Sequence, residues 1–348
     1  MLKRIFCLIF SLIIILSLSS CEKQKQKFSK NYIEYFDTVC TVVGYEFSED
    51  EFNKTCDFIE SELEVYNQLY DIYKTYDNVN NIKTINKNAG KEPVKVDKKI
   101  IDLLKFSKEI YDKTNSTVNI AMGSVLKIWH NHREIGISEP ENATVPGKTE
   151  LLEANTHTDI NNVIIDEENS TIYLKDSEMS LDVGAIGKGY ATERIAQELI
   201  NQGKTAYTLN FGGNIRTIGN KGDDTPWTAA VTNPDLTAEN STLLRVELSD
   251  CVFVTSGSYQ RYYEVDGVRY HHIINPETLY PENNFASVSI YAKDSGIADA
   301  LSTSLFNLSL EEGKRLISTF EGVEAMWVSS SGEITYTDGF KDIIIEDK

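Results

Sequence analysis

The stretch Leu181-Asp182-Val183-Gly184-Ala185-Ile186-Gly187-Lys188-Gly189-Tyr190-Ala191 organises this chain. Three glycines in six residues let the backbone turn tightly and approach a ligand where a Cβ would collide. Ala191, Ile195, Ala196, Leu199 and Ile200 follow at helical spacing until Gly203 supplies a stop. The spacing predicts a strand ending at Asp182, a glycine corner, and a helix opened by Lys188. Backbone N–H groups at such a helix start favour phosphate oxygens. Two familiar phosphate loops do not fit. A Walker loop needs Ser or Thr after its Gly-Lys, where this chain has Gly189. The dinucleotide fingerprint orders its glycines Gly-x-Gly-x-x-Gly, and here the order is Gly-x-x-Gly-x-Gly.

Outward from the corner, the pattern becomes one of short strands. Residues 163–165 and 171–174 flank a polar turn as a hairpin, and further strands are expected near 205–210, 227–231, 243–248, 252–255 and 286–292. Asp266-Gly267 joins runs 259–265 and 268–274, a strong two-residue hairpin signal. A helix begins near Gly296, Ser309-x-x-Glu312 is a capping box for the next, and 326–328 with 333–336 close the chain as a hairpin. On the N-terminal side, residues 36–45 are strand-like. Phe52, Cys56, Ile59, Leu63, Tyr66 and Tyr70 mark an amphipathic helix, and Ile100, Leu103, Leu104, Ser107, Ile110 and Tyr111 a second. Residues 71–90 read as loop with short helical turns. Antiparallel strand pairs with a few helices argue for α+β and against a doubly wound sheet.

The first 21 residues form a targeting segment. Lys3 and Arg4 precede an apolar run over 5–18, and Leu18-Ser19-Ser20-Cys21 places small residues before a cysteine. This looks like a lipoprotein signal with Cys21 as the lipidated first residue, relaxed at Ser20. Residues 22–31, polar and lysine-rich, are expected to be a flexible tether, and 32–348 the folded domain. Removing the leader deletes Lys3 and Arg4 and no acid, taking the net charge from −19 to −21. So acidic a surface disfavours nucleic acid. Cys40, Cys56 and Cys251 remain, too few for a disulfide scaffold, and read as buried thiols.

Asp299 and Thr303 are four apart on a predicted helix, on one face, with Asp299 expected in the first turn. A carboxylate plus a hydroxyl suits Mg²⁺, which takes few protein ligands beside substrate phosphates. His271 and His272 lie on the second strand of the Asp-Gly hairpin, so only one of them can serve a given pocket. His130 and His132 read as loop surface, with no carboxylate or cysteine at matching spacing.

Asp182-x-Gly184-Ala185-Ile186-x-Lys188-Gly189-x-Ala191 resembles the signature of the ApbE family of flavin transferases. Phe36-Asp37-Thr38, Ile82-x-x-Ile85-Asn86-x-x-Ala89-Gly90 and Gly123-x-x-Leu126-x-x-Trp129 fit its N-terminal half. Asn210-Phe211-Gly212-Gly213-Asn214, Thr255-Ser256-Gly257-x-Tyr259-x-Arg261, His272-Ile273-Ile274-x-Pro276 and Ala298-Asp299-Ala300-Leu301-x-Thr303 fit the rest in order. Departures stand beside motifs: Phe211 before Gly212, Asn275 before Pro276, and Leu279-Tyr280-Pro281 for a Thr-Gly-x-Pro run.

The resemblance implies one catalytic domain, T-fold-related, of antiparallel sheets with packed helices. It implies Mg²⁺-dependent transfer of the FMN half of FAD onto a Thr or Ser hydroxyl of a target flavoprotein, with release of AMP. By position, the Ala185 carbonyl, Asp299 and Thr303 would hold Mg²⁺. Phe36, Tyr76, Ala121, Met122, Gly123, Asp182, Lys188, His272 and Ile273 would contact FAD, with His272 activating the hydroxyl. Acceptors would be flavoprotein subunits of membrane redox complexes of the Rnf or sodium-pumping quinone reductase type, outside the cell membrane. Two alternatives share these features: a Mg²⁺-dependent FAD pyrophosphatase yielding FMN and AMP, and a non-enzymatic lipid-anchored flavin- or solute-binding protein.

Overall fold

The structure, a computed structural model, describes residues 24–235, 237–259 and 261–346. The leader and Cys21 lie outside the described residues. The frame is an eight-stranded sheet of order β1-β2-β6-β7-β10-β13-β14-β15, every neighbouring pair antiparallel. Its strands are β1 (Gln26–Tyr32), β2 (Cys40–Glu46), β6 (Tyr207–Phe211), β7 (Asn214–Ile218), β10 (Val252–Gly257), β13 (Phe285–Ala292), β14 (Glu324–Ser329) and β15 (Ile334–Tyr336). Helices α1 (Glu49–Tyr70), α6 (Gly187–Asn201) and α7 (Ser295–Asn307) pack on one face. The hairpin β8 (Trp227–Thr232) and β9 (Thr242–Leu248) covers the other with Phe340.

Alternation along the strands builds both layers. In β10, Val252 and Val254 join the helix-side core, whereas Phe253 joins the opposite one. In β14, Ala325 and Trp327 face the helices and Met326 and Val328 the hairpin. Beside this frame, α3 (Lys98–Lys113) packs on a small sheet, β3 (Val94–Lys95), β5 (Thr171–Leu174) and β4 (Val163–Asp166), in order β3-β5-β4. A satellite cluster around Trp129 joins α4 (Gly123–Ser138), α5 (Lys148–Asn155) and the hairpin β11 (Tyr262–Val265) and β12 (Val268–His271). A short helix, α2 (Ile82–Lys87), and the capping-box helix α8 (Leu310–Ile317) complete the elements.

The expected flexible tether is corrected here: residues 26–31 belong to edge strand β1. Phe28 stacks on Phe52 at 5.5 Å, Lys30 pairs with Glu60 at 3.0 Å, and the Tyr32 hydroxyl donates to the Cys56 carbonyl at 2.8 Å. Its polar composition is that of an edge, where lysines block further pairing. At the hairpin between β11 and β12, Asp266 and Gly267 have φ of +50° and +78°, as the tight turn requires. Cys40, Cys56 and Cys251 are free and buried.

A buried ion pair joins helices to sheet. Arg216 on β7 and Glu193 on α6, side chains 4% and 2% exposed, meet at 3.2 Å. The same Glu193 oxygen accepts the Ser295 N–H at 2.9 Å, capping the start of α7. Arg216 also reaches Asp250 at 3.3 Å, but truncating Glu193 removes its buried counter-charge and the acceptor of the Ser295 N–H together. Glu193→Ala is expected to lower stability by about 3–5 kcal/mol in urea unfolding; a change below about 1 kcal/mol, the range of an exposed pair, would contradict this reading.

Candidate active site

The corner is held by a segment beside it. Asp182 N–H donates to the Ile120 carbonyl at 2.8 Å, and Gly123 N–H to the Ser180 carbonyl at 3.0 Å. The Asn86 amide brackets Leu181, accepting its N–H at 2.7 Å and donating to its carbonyl at 2.9 Å. A Cβ on Gly123 would overlap Ser180, so this approach needs glycine. Asp182 therefore does not end a ladder strand as expected; one parallel bridge, Met122 to Ser180, is the only regular pairing there among the described residues. Asp182 Oδ1 accepts the Gly184 N–H at 2.8 Å, and burial raises its carboxyl pKa against the opposing pull of that bond, His130 and Arg133.

The corner and the Asp/Thr helix meet. Gly189 N–H donates to Asp299 Oδ2 at 2.7 Å, and Lys188 Nζ lies 3.6 Å from Asp299 Oδ1. A Cβ on Gly189 would overlap the Ser295 carbonyl and Asp299, so the third glycine is what lets α7 cross α6 here. The Gly189 N–H lies in the first turn of α6, where it has no acceptor within the helix, and Asp299 supplies one. Thr303 follows Asp299 by one turn, and its hydroxyl has no hydrogen-bond partner among the described residues. Asp299 and Thr303, one turn apart on α7, carry a carboxylate and a hydroxyl, hard oxygen donors of the kind Mg²⁺ takes. Asp299 sits in the second turn of α7; the first-turn role belongs to Asp294, whose side chain accepts the Ile297 N–H at 3.0 Å.

The two histidines separate cleanly. His271 accepts the Ile273 N–H on Nδ1 at 3.2 Å, donates from Nε2 to the Glu282 carbonyl at 2.7 Å, and packs on Phe306. Both its nitrogens are committed. His272, half-buried just beyond β12, places Nδ1 3.3 Å from the Arg261 carbonyl. A carbonyl only accepts, so Nδ1 carries the proton and Nε2 keeps its lone pair. Burial lowers the His272 pKa, and His271, Arg261 and Arg133 lower it further.

A cleft of about 930 Å³ opens beside the corner. Gly123 and Asp182 line it, with Tyr73, Asn86, Lys87 and His130. Ala185, Lys188, His272, Asp299 and Thr303 do not; the corner spans from the cleft to them. Ala121 and Met122 are buried and do not line the cleft. Phe36 has φ of +54° and donates its N–H to Asn67 at 2.9 Å, while Arg261 reaches the Asp37 carbonyl at 3.2 Å. Two further residues expected to contact FAD do not line this cleft. Tyr76 is tied to Asp71 at 2.7 Å outside the cleft, and Tyr73 takes the wall position. Ile273 buries its side chain in the core beneath β10, and His271 holds its N–H.

His130 and His132 are not loop surface: both lie on α4, His130 in the cleft and His132 bonded to Thr144. The helical spacing of Val125 and Trp129 was the signal for that helix. Arg133, which acts on Asp182 and His272 alike, was missed with it.

Comparison with known proteins follows the same geometry. The ApbE family model matches residues 36–327. An FAD:protein FMN transferase of Treponema pallidum is 34% identical, the match spanning 75% of this chain and 74% of that protein. One from Klebsiella pneumoniae is 32% identical over 73% and 76%. The crystal structure of the ApbE protein of Thermotoga maritima superposes with a TM-score of 0.79 at 28% identity, covering 92% of this chain and all of that one. The flavin transferase ApbE of Vibrio cholerae, at 23% identity and TM-score 0.76 over 92% and 99%, shares the fold.

Because folding lowers the His272 pKa, the unfolded chain binds this proton first, and stability falls as pH drops below the ordinary 6.5. His272→Gln is expected to flatten urea-midpoint loss between about pH 6.5 and 4.5. An unchanged slope would show that the ring is solvated.

Proposed function

The chain belongs to the ApbE family, and from this site we propose that it transfers the FMN moiety of FAD to a Thr or Ser hydroxyl of an acceptor flavoprotein, releasing AMP. The observation that carries the reading is the meeting of Lys188 and Asp299 at the glycine corner. The incoming oxygen bonds to the FMN-side phosphorus as the bond to the bridging oxygen breaks, and that oxygen leaves with AMP. His272 Nε2 takes the hydroxyl proton, since its ring is held neutral with Nδ1 as the donor. Lys188, opposite Asp299, supplies positive charge where phosphate oxygens gain negative charge.

The donor set fits Mg²⁺, with the Ala185 carbonyl, Asp299 and Thr303 as its ligands. Bound there, the ion would neutralise pyrophosphate charge. Among the described residues no group of three His, Cys, Asp or Glu offers an alternative metal site.

Acceptors of the Rnf or quinone reductase type fit a catalyst on the outer face of the cell membrane, anchored through Cys21. Strand β1 begins at Gln26, so the chain between reaches at most about 18 Å. From that end β1 runs about 20 Å toward the Phe36 corner. Cys21→Ala is expected to move the protein from the membrane to the soluble fraction; persistence with the membrane would refute the lipid anchor.

Incubated with FAD, Mg²⁺ and an acceptor subunit, the wild type should add the mass of FMN, and Asp299→Ala should cut AMP release at least about 100-fold. AMP with free FMN and unmodified acceptor would mean water is the acceptor. Unchanged AMP release by the variant would refute the role of Asp299.

A further inference from the structure

His130 and Arg133 stand one turn apart on α4; Arg133 also helps to keep His272 neutral, and the pair has a specific geometry of its own. Arg133 Nη2 lies 2.9 Å from His130 Nδ1. A guanidinium has only donors, so Nδ1 accepts and the imidazole proton resides on Nε2. That N–H has no partner among the described residues. The His130 ring lies against Tyr73, centroids 5.1 Å apart and planes at 37°, and Tyr73 is 54% exposed. Both rings line the cleft with Asp182. Of the Asp182 oxygens, Oδ1 is taken by Gly184, and Oδ2 has no recorded partner among the described residues. One wall therefore offers an N–H donor, a carboxyl oxygen and an aromatic surface. A carboxyl oxygen and an N–H also suit ribose hydroxyls, but the exposed Tyr73 face beside them suits a planar heteroaromatic ring with donors and acceptors on its edge.

We propose that His130, held by Arg133 as the Nε2–H tautomer, donates a hydrogen bond to the edge of a heteroaromatic ring of the bound dinucleotide. His130 is thus a binding residue and Arg133 a positioning residue. The proposal rests on the flavin-nucleotide reading of the cleft. Adenine and isoalloxazine share this chemistry, and ligands carrying one ring each distinguish them. An i, i+3 His–Arg pair also arises as ordinary helix-surface pairing, and affinity separates the two cases.

The test is calorimetry of the full chain with FAD, ADP and FMN in Mg²⁺, alongside kinetics of AMP release. His130→Phe keeps a ring beside Tyr73 and removes the donor. It should weaken FAD about tenfold, raise KM to match and leave kcat within about twofold. The loss should recur with ADP if the ring is adenine, or with FMN if it is isoalloxazine. His130→Gln, which retains an N–H donor, should recover most of the affinity. Arg133→Met should reproduce the KM rise. Unaltered FAD affinity in His130→Phe overturns the proposal, as does equal weakening in Phe and Gln variants. Wild-type protein that binds FAD without releasing AMP would sink the transferase reading and leave this one standing. Failure to bind any of the three ligands would sink both.

Discussion

Two helices cross at a residue that has no side chain, and a backbone N–H there is given to a carboxylate 110 positions away. The contact between Gly189 and Asp299 brings α6 and α7 to a separation that a Cβ would forbid, and it gives a first-turn N–H of α6 the acceptor that its own helix lacks. One turn further along α6, Glu193 receives the Ser295 N–H and pairs with Arg216 of the sheet. Two contacts along one helix thus set where the other starts and how it lies. With that geometry set, Lys188, Asp299 and Thr303 share one location without any of them being on the main cleft wall.

The hairpin after β10 contributes a different constraint. His271 and His272 are adjacent, so the chain needs a reason to use one and bury the other. The buried ring is pinned between the Glu282 carbonyl and the Ile273 N–H. Its neighbour keeps a free Nε2 because the Arg261 carbonyl holds Nδ1. Arg261 also reaches Asp37, so the left-handed corner at Phe36 and Asp37 is tied to His272. Positive charge from Arg133 and Arg261 reinforces burial in disfavouring imidazolium.

Local signals carried much of this. Glycine order, helical spacing after Lys188, the Asp-Gly turn, the capping box at Ser309 and the Asp299/Thr303 face each depend on a few neighbouring residues, and each is found in the structure. The readings that failed depend on distant contacts. β1 is polar because it is an edge strand, and polarity alone reads as a tether. β7 escapes notice because Arg216 and Thr217 are buried in it, which no alternation of apolar residues announces. The start of α7 at Ser295 gives the N-cap to Asp294 and moves Asp299 one turn inward, toward Gly189.

The most direct test is a crystal of the protein with FAD and Mn²⁺, read by anomalous scattering at the manganese edge. The account predicts a single strong peak within about 2.0–2.4 Å of the Ala185 carbonyl, Asp299 and Thr303, beside the pyrophosphate. Manganese bound elsewhere, with Asp299 still held by Lys188 and Gly189 alone, would contradict it.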